Sequence, residues 1–112
     1  MQFSTSLKRN YEFRRAYQSG KSAASPRLAV YCRKMRGQQG NRVGFTVGTK
    51  VGKAVVRNRV RRKLREIYRL HEKELRTGFD IVIVARVRSQ NADYHVLERE
   101  LMGLFEKLGL TQ

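Results

Sequence analysis

Acidic residues are scarce in this chain: nine Asp and Glu stand against 25 Lys and Arg, leaving a formal charge of +16. A protein nuclease needs clustered carboxylates to hold a metal, or a general acid and base held together. The few acids here are scattered, and Glu72 with Glu74, like Glu98 with Glu100, do not share a helix face. His71 and His95 fall in helical stretches without a recognisable partner, so they read as surface histidines. "GTKVGKA" is no phosphate loop either, because the spacer between Gly48 and Gly52 is one residue short and Ala54 stands where Ser or Thr would bind magnesium.

Cysteine is limited to Cys32, which excludes a disulfide within the chain and fits a reducing compartment. In the strand-like run "LAVYC" it reads as a small buried hydrophobe. The single proline argues against a low-complexity or disordered chain. No apolar run approaches the ~20 residues that span a bilayer, and "MQFSTSLKRN" lacks the apolar stretch of a signal peptide, so the expectation is a cytoplasmic protein without a membrane partner.

What is present is enough for one domain over residues 1–112: 40% hydrophobic residues supply a core without disulfides or a structural metal. "NYEFRRAYQSG" predicts a short helix capped by Asn10, with Gly20 as a left-handed stop and Phe13, Ala16 and Tyr17 on one face. After "KSAASPR", the segments "LAVYCRKM" and "RVGFTVGT" flank the turn material "RGQQGN" and predict an antiparallel hairpin. Gly44 and Gly48 on its second face leave room for another backbone or a ligand.

Ala54 to about Leu75 contains no Gly or Pro and predicts a long helix. "GFDIVIVARV" is a strand of the kind buried on both faces, and Val96, Leu97, Leu101, Leu104, Phe105 and Leu108 mark a final amphipathic helix. The order of helix, hairpin, long helix, strand and helix predicts an α+β fold, with a crossover unit and helices covering a sheet.

The long helix holds most of the functional signal. At 100° per residue, Val56, Val60, Leu64 and Ile67 form an apolar stripe, while Asn58, Arg62, Arg65 and Arg69 occupy the opposite pole, flanked by Arg59 and Arg61. From Lys50 to Arg69 nine Lys and Arg face the single Glu66, a net +8 and half the excess of the whole chain. A solvated helix would pair its charges at i±3 and i±4, and this one supplies almost no partners. Arginine can hold a phosphate through two parallel hydrogen bonds or stack on a base. The hairpin and buried strand suit neither a helix-turn-helix nor a basic zipper, so the expected partner is structured RNA and not DNA. Phe13, Tyr17 and Tyr31 are either a stacking surface for single-stranded RNA or ordinary core.

"GKAVVRNRVRRKLRE" resembles the arginine-rich signature of the bacterial ribonuclease P protein family. "YEFRRAYQSGKS", "RVGFTVGTKVGKAVVRNRVRR" and "FDIVIVAR" extend the resemblance along nearly the whole chain. The resemblance implies an auxiliary subunit of an endoribonuclease whose catalyst is a large RNA, cutting the 5′ leader from precursor tRNA with magnesium held by that RNA and no cofactor on the protein. It implies an α/β sandwich on a roughly four-stranded sheet with a left-handed strand-helix-strand crossover. Lys53, Arg57, Asn58, Arg59, Arg61, Arg62, Arg65 and Arg69 would face the catalytic RNA. Phe13, Tyr17 and Tyr31, with Lys21 and Lys50 nearby, would line a cleft for the leader. A general RNA-binding module and a stand-alone nuclease are the alternatives.

Overall fold

A computed structural model describes residues 4–112. The elements run β1 (Ser4–Ser6), α1 (Asn10–Ser19), β2 (Lys21–Ala24), β3 (Leu28–Lys34), β4 (Asn41–Val47), α2 (Ala54–His71), β5 (Phe79–Ala85) and α3 (Tyr94–Lys107). Short 3-10 turns follow β4, α2 and β5.

The strands form one sheet of five in the order β1-β4-β5-β3-β2. This corrects the expected hairpin: the "LAVYCRKM" and "RVGFTVGT" strands do not pair with each other, because β5 lies between them, antiparallel to β3 and parallel to β4. The apolar β5 is buried on both faces, and placing it centrally satisfies its backbone groups on both edges. The loop read as a hairpin turn instead crosses the start of β5 and is pinned there. The Met35 amide donates to Gly78 O at 2.8 Å, and Gln38 Nε2 donates to Phe79 O at 3.1 Å. An antiparallel hairpin does form, between β2 and β3, from "KSAA", which had read as connecting chain. With β1 added beside β4, the sheet has five strands where about four were expected.

Two layers of helix cover this sheet. Val60, Leu64, Ile67 and Tyr68 of α2, with Leu97, Leu101, Leu104 and Phe105 of α3, pack on Val30, Cys32, Val43, Val47, Ile81 and Ile83. The parallel neighbours β4 and β5 are joined through α2. On the opposite face α1 buries Ala16 against Leu7 and Val82, with Phe13, Tyr31 and Val84 partly covered beside them.

The ends of α1 differ from the sequence reading. Asn10 is the first helical residue, and the orphan amides of Lys8 and Arg9 are met by the Glu12 carboxylate at 3.1 and 2.9 Å. Gly20 is extended, with φ −99°, so it is no left-handed stop. Glycine is required because a Cβ there would lie 2.1 Å from the Cys32 carbonyl oxygen across the β2–β3 pair.

Candidate nucleic-acid interface

The basic helix starts from a tight turn. Gly52 has φ +154°, and a Cβ on it would press on Val56 Cγ1 at 3.0 Å, so the turn into α2 depends on glycine. Arg57 Nε donates back to Gly52 O at 3.1 Å, which leaves part of that guanidinium for a partner. One helical turn on, Arg61 Nη1 donates to Oδ1 of the exposed Asn58 at 2.9 Å, which uses the acceptor of that amide and not its two N–H donors. Val55, Asn58, Arg59 and Arg62 line a shallow groove on the solvent side of α2. Lys53, Arg59 and Arg62 are exposed there.

Two expected members of this face are otherwise engaged. Arg69 is paired with Glu66 through two hydrogen bonds of 3.0 and 2.6 Å, so it is neutralised although its position places it among the arginines offered to RNA. Both partners are about half exposed, and such a surface pair is weak enough to be exchanged for a phosphate. Arg65 leans its guanidinium over the Phe45 ring, 5.8 Å from the centroid.

The scarce acids are spent on structure. Arg42 lies between Asp80 of β5, at 2.8 and 2.7 Å, and Glu12 of α1. Arg27 takes Glu100, His71 takes Glu74 and Glu98, and Asp93 caps α3 by accepting from the His95 amide at 3.1 Å. Among the described residues Glu66 is therefore the one carboxylate paired on the exposed side of α2.

On the other face of the sheet the aromatic residues meet. The Phe13 ring lies over Gly44, where a Cβ would come within 2.4 Å of it. Tyr17 OH and Thr46 Oγ1 share a hydrogen bond of 3.1 Å, and the Tyr17 and Tyr31 rings meet edge to face at 4.8 Å between centroids. The choice between stacking surface and core thus divides by residue. Phe13 and Tyr31 help fill the small α1 core, while Tyr17 remains 39% exposed at its mouth. The room expected at Gly44 is occupied by Phe13, whereas Gly48 stands open.

Lys21 does not join this cleft. It pairs in register with Cys32, whose side chain faces α2 and α3, while Tyr31 beside it faces α1. Lys50 is exposed in the turn Thr49–Val51, just past the end of β4 that carries Thr46.

Two features escaped the sequence reading. The Arg42–Asp80–Glu12 cluster had a signal, since one acid inside the apolar run "FDIVIVA" requires a buried cationic partner. His71 has no partner that its sequence surroundings reveal, yet its Nε2 lies 2.8 Å from Glu98 and its Nδ1 contacts Glu74. Glu74 is in sequence reach at i+3; Glu98 comes from α3 and is brought there only by the fold.

The Ribonuclease P family model matches residues 1–109. The ribonuclease P protein component of Natranaerobius thermophilus is 43% identical over 95% of this chain and 91% of its own length. That of a Thermoanaerobacter species is 46% identical over 93% and 89%. Among solved structures, the Staphylococcus aureus RNase P protein superposes with a TM-score of 0.88 at 26% identity, covering 96% of this chain and 97% of that one. The Thermotoga maritima RNase P protein gives 0.82 at 30% identity, covering 90% and 94%. A basic helix presented by this sheet, and a likeness that runs along almost the entire length, lead to one assignment: the chain belongs to the family of ribonuclease P protein components.

Proposed function

We propose that the outer face of α2 holds the ribonuclease P RNA while the cleft beneath α1 holds the single-stranded 5′ leader of precursor tRNA, assisting leader removal in the cytoplasm. The observation that carries this reading is the division of surfaces across the sheet. A helix whose Lys53, Arg59 and Arg62 form no ion pair with a carboxylate among the described residues lies on one side, and an exposed Tyr17 above Thr46 lies on the other. A cationic face suits a folded polyanion, and an open aromatic ring suits an unstacked base.

The chemistry of cutting is assigned to the RNA, where bound magnesium would supply an activated water and charge stabilisation for the leaving oxygen. The described residues offer no group of three or more His, Cys, Asp or Glu placed to bind a metal ion. The protein's part is electrostatic: it lowers the cost of bringing two polyanions together, so less magnesium is needed, and it adds contacts to the leader.

The test is cleavage of a precursor tRNA by a bacterial ribonuclease P RNA at low magnesium, with and without this protein, beside a protein-only lane. Correct 5′ maturation only when both are present is the expected result. No stimulation at any magnesium level would return the chain to the general RNA-binding class, and cutting in the protein-only lane would make it a nuclease.

A further inference from the structure

From Ser4 to Arg65 the chain contains one acid, Glu12. That carboxylate is turned inward, onto Arg42 and the amides of Lys8 and Arg9. The solvent side of α1 is consequently as unneutralised as that of α2. Lys8, Arg9, Arg14 and Arg15 are exposed along it, and among the described residues none of their side chains forms an ion pair with a carboxylate.

This face also carries a ring. Tyr11 is 47% exposed, and the Arg15 guanidinium stands over it at 5.1 Å from the centroid. At 100° per residue Tyr11, Arg14, Arg15 and Gln18 share the outward pole, while Glu12, Phe13 and Ala16 face the sheet. Tyr17 lies at the border between the two. Tyr11, Arg14 and Tyr17 therefore follow one another at steps of three residues, a ring, a guanidinium and a ring on adjoining turns, each ~5–6 Å from the next. The ridge begins at the mouth of the cleft and ends on the outside of the helix.

We infer that α1 carries a second leader-binding surface, in which the upstream part of a 5′ leader leaves the cleft at Tyr17, passes Arg14 and stacks on Tyr11 beside Arg15. The inference rests on the cleft reading above and extends it to the far side of the helix. Single-stranded RNA fits because bases splayed from a stack find aromatic rings while their phosphates meet the intervening guanidiniums. The leader is the RNA assigned here, and not the catalytic RNA, because the ridge is continuous with Tyr17 and lies across the sheet from α2.

The test uses the protein reconstituted with a bacterial ribonuclease P RNA and two precursor tRNAs, one with a leader of a few nucleotides that ends within the cleft and one with a leader several times longer. Tyr11→Ala is expected to weaken binding of the long-leader substrate about tenfold, the scale of one lost base stack, with Tyr11→Phe restoring it. Arg14→Gln should act in the same direction, and neither change should alter affinity for the short-leader substrate. Tyr17→Ala should weaken both substrates. If Tyr17→Ala weakens both and the Tyr11 and Arg14 variants weaken neither, the extension is wrong and the cleft stands. If Tyr17→Ala spares both, the cleft reading falls and the extension with it. Equal losses on short and long leaders, or a loss of affinity for the catalytic RNA alone, would overturn the assignment to the leader.

Discussion

Arg42 and Gly44 stand two residues apart on β4 and together fix where α1 sits. Arg42 spans from the 1%-exposed Asp80 of the central strand to Glu12, which also caps α1, so one guanidinium sets both the helix start and its distance from the sheet. Arg42→Met would leave Asp80 as an uncompensated buried charge. The expected cost is ~3 kcal/mol, read as a lowered denaturant midpoint, together with weaker leader binding as α1 loosens. Gly44→Ala acts more narrowly, because its new methyl must displace the Phe13 ring. About 1–3 kcal/mol of stability should be lost, and affinity for leader-bearing substrate should fall more than affinity for ribonuclease P RNA, as filter binding of the two RNAs would show. Arg42 does not stand out in the sequence, and Gly44 does so only in the wrong sense. Gly44 read as open space for a ligand because nothing in the spacing of "RVGFTVGT" says that a ring from residue 13 fills it.

The helices and strands were far more legible than their neighbours. Of the stripe Val56, Val60, Leu64 and Ile67, the last three are buried as the spacing implies and Val56 is half-buried, and "FDIVIVA" is buried on both faces. Pairing was not legible, because β3 and β4 have the same alternation whether they meet directly or through a third strand. The junction of α2 with α3 shows the same limit, since His71 finds Glu98 only in the folded chain. Its hydrogen bond to Glu98 is the largest influence raising its pKa above the ordinary 6.5; partial burial opposes the rise, and Glu74 reinforces it. A pKa raised on folding means that the protonated imidazolium stabilises the fold in full below the unfolded value and ceases to do so as pH rises through the folded one. Thermal melts should therefore show His71→Gln less stable than the parent near pH ~6, with the gap closing toward pH ~9.

At the scale of the whole molecule the +16 is divided between two sides of a thin sheet, and the acids that exist are used to hold elements together. The excess was plain from composition; its division across the sheet was not, because that depends on α1 and α2 packing on opposite faces. If some 6–10 phosphates are neutralised, affinity for ribonuclease P RNA should drop ~10³–10⁵-fold between ~50 and ~200 mM salt. Arg59→Ala should weaken that binding and reduce the slope of log affinity against log salt by about one, as a titration at several salt concentrations would measure.

The central position of β5 also constrains how the chain comes into being. The strand that every other part of the sheet is built around is the last to leave the ribosome, and β3 and β4 emerge earlier with nothing between them. Until residue 85 is free, their exposed edges are open to the hairpin that their sequences suggest, or to pairing with another chain. The nascent protein must therefore keep its sheet unclosed through most of its synthesis, and the dense positive charge along α2, made just before β5, is well suited to keeping neighbouring unfinished chains apart.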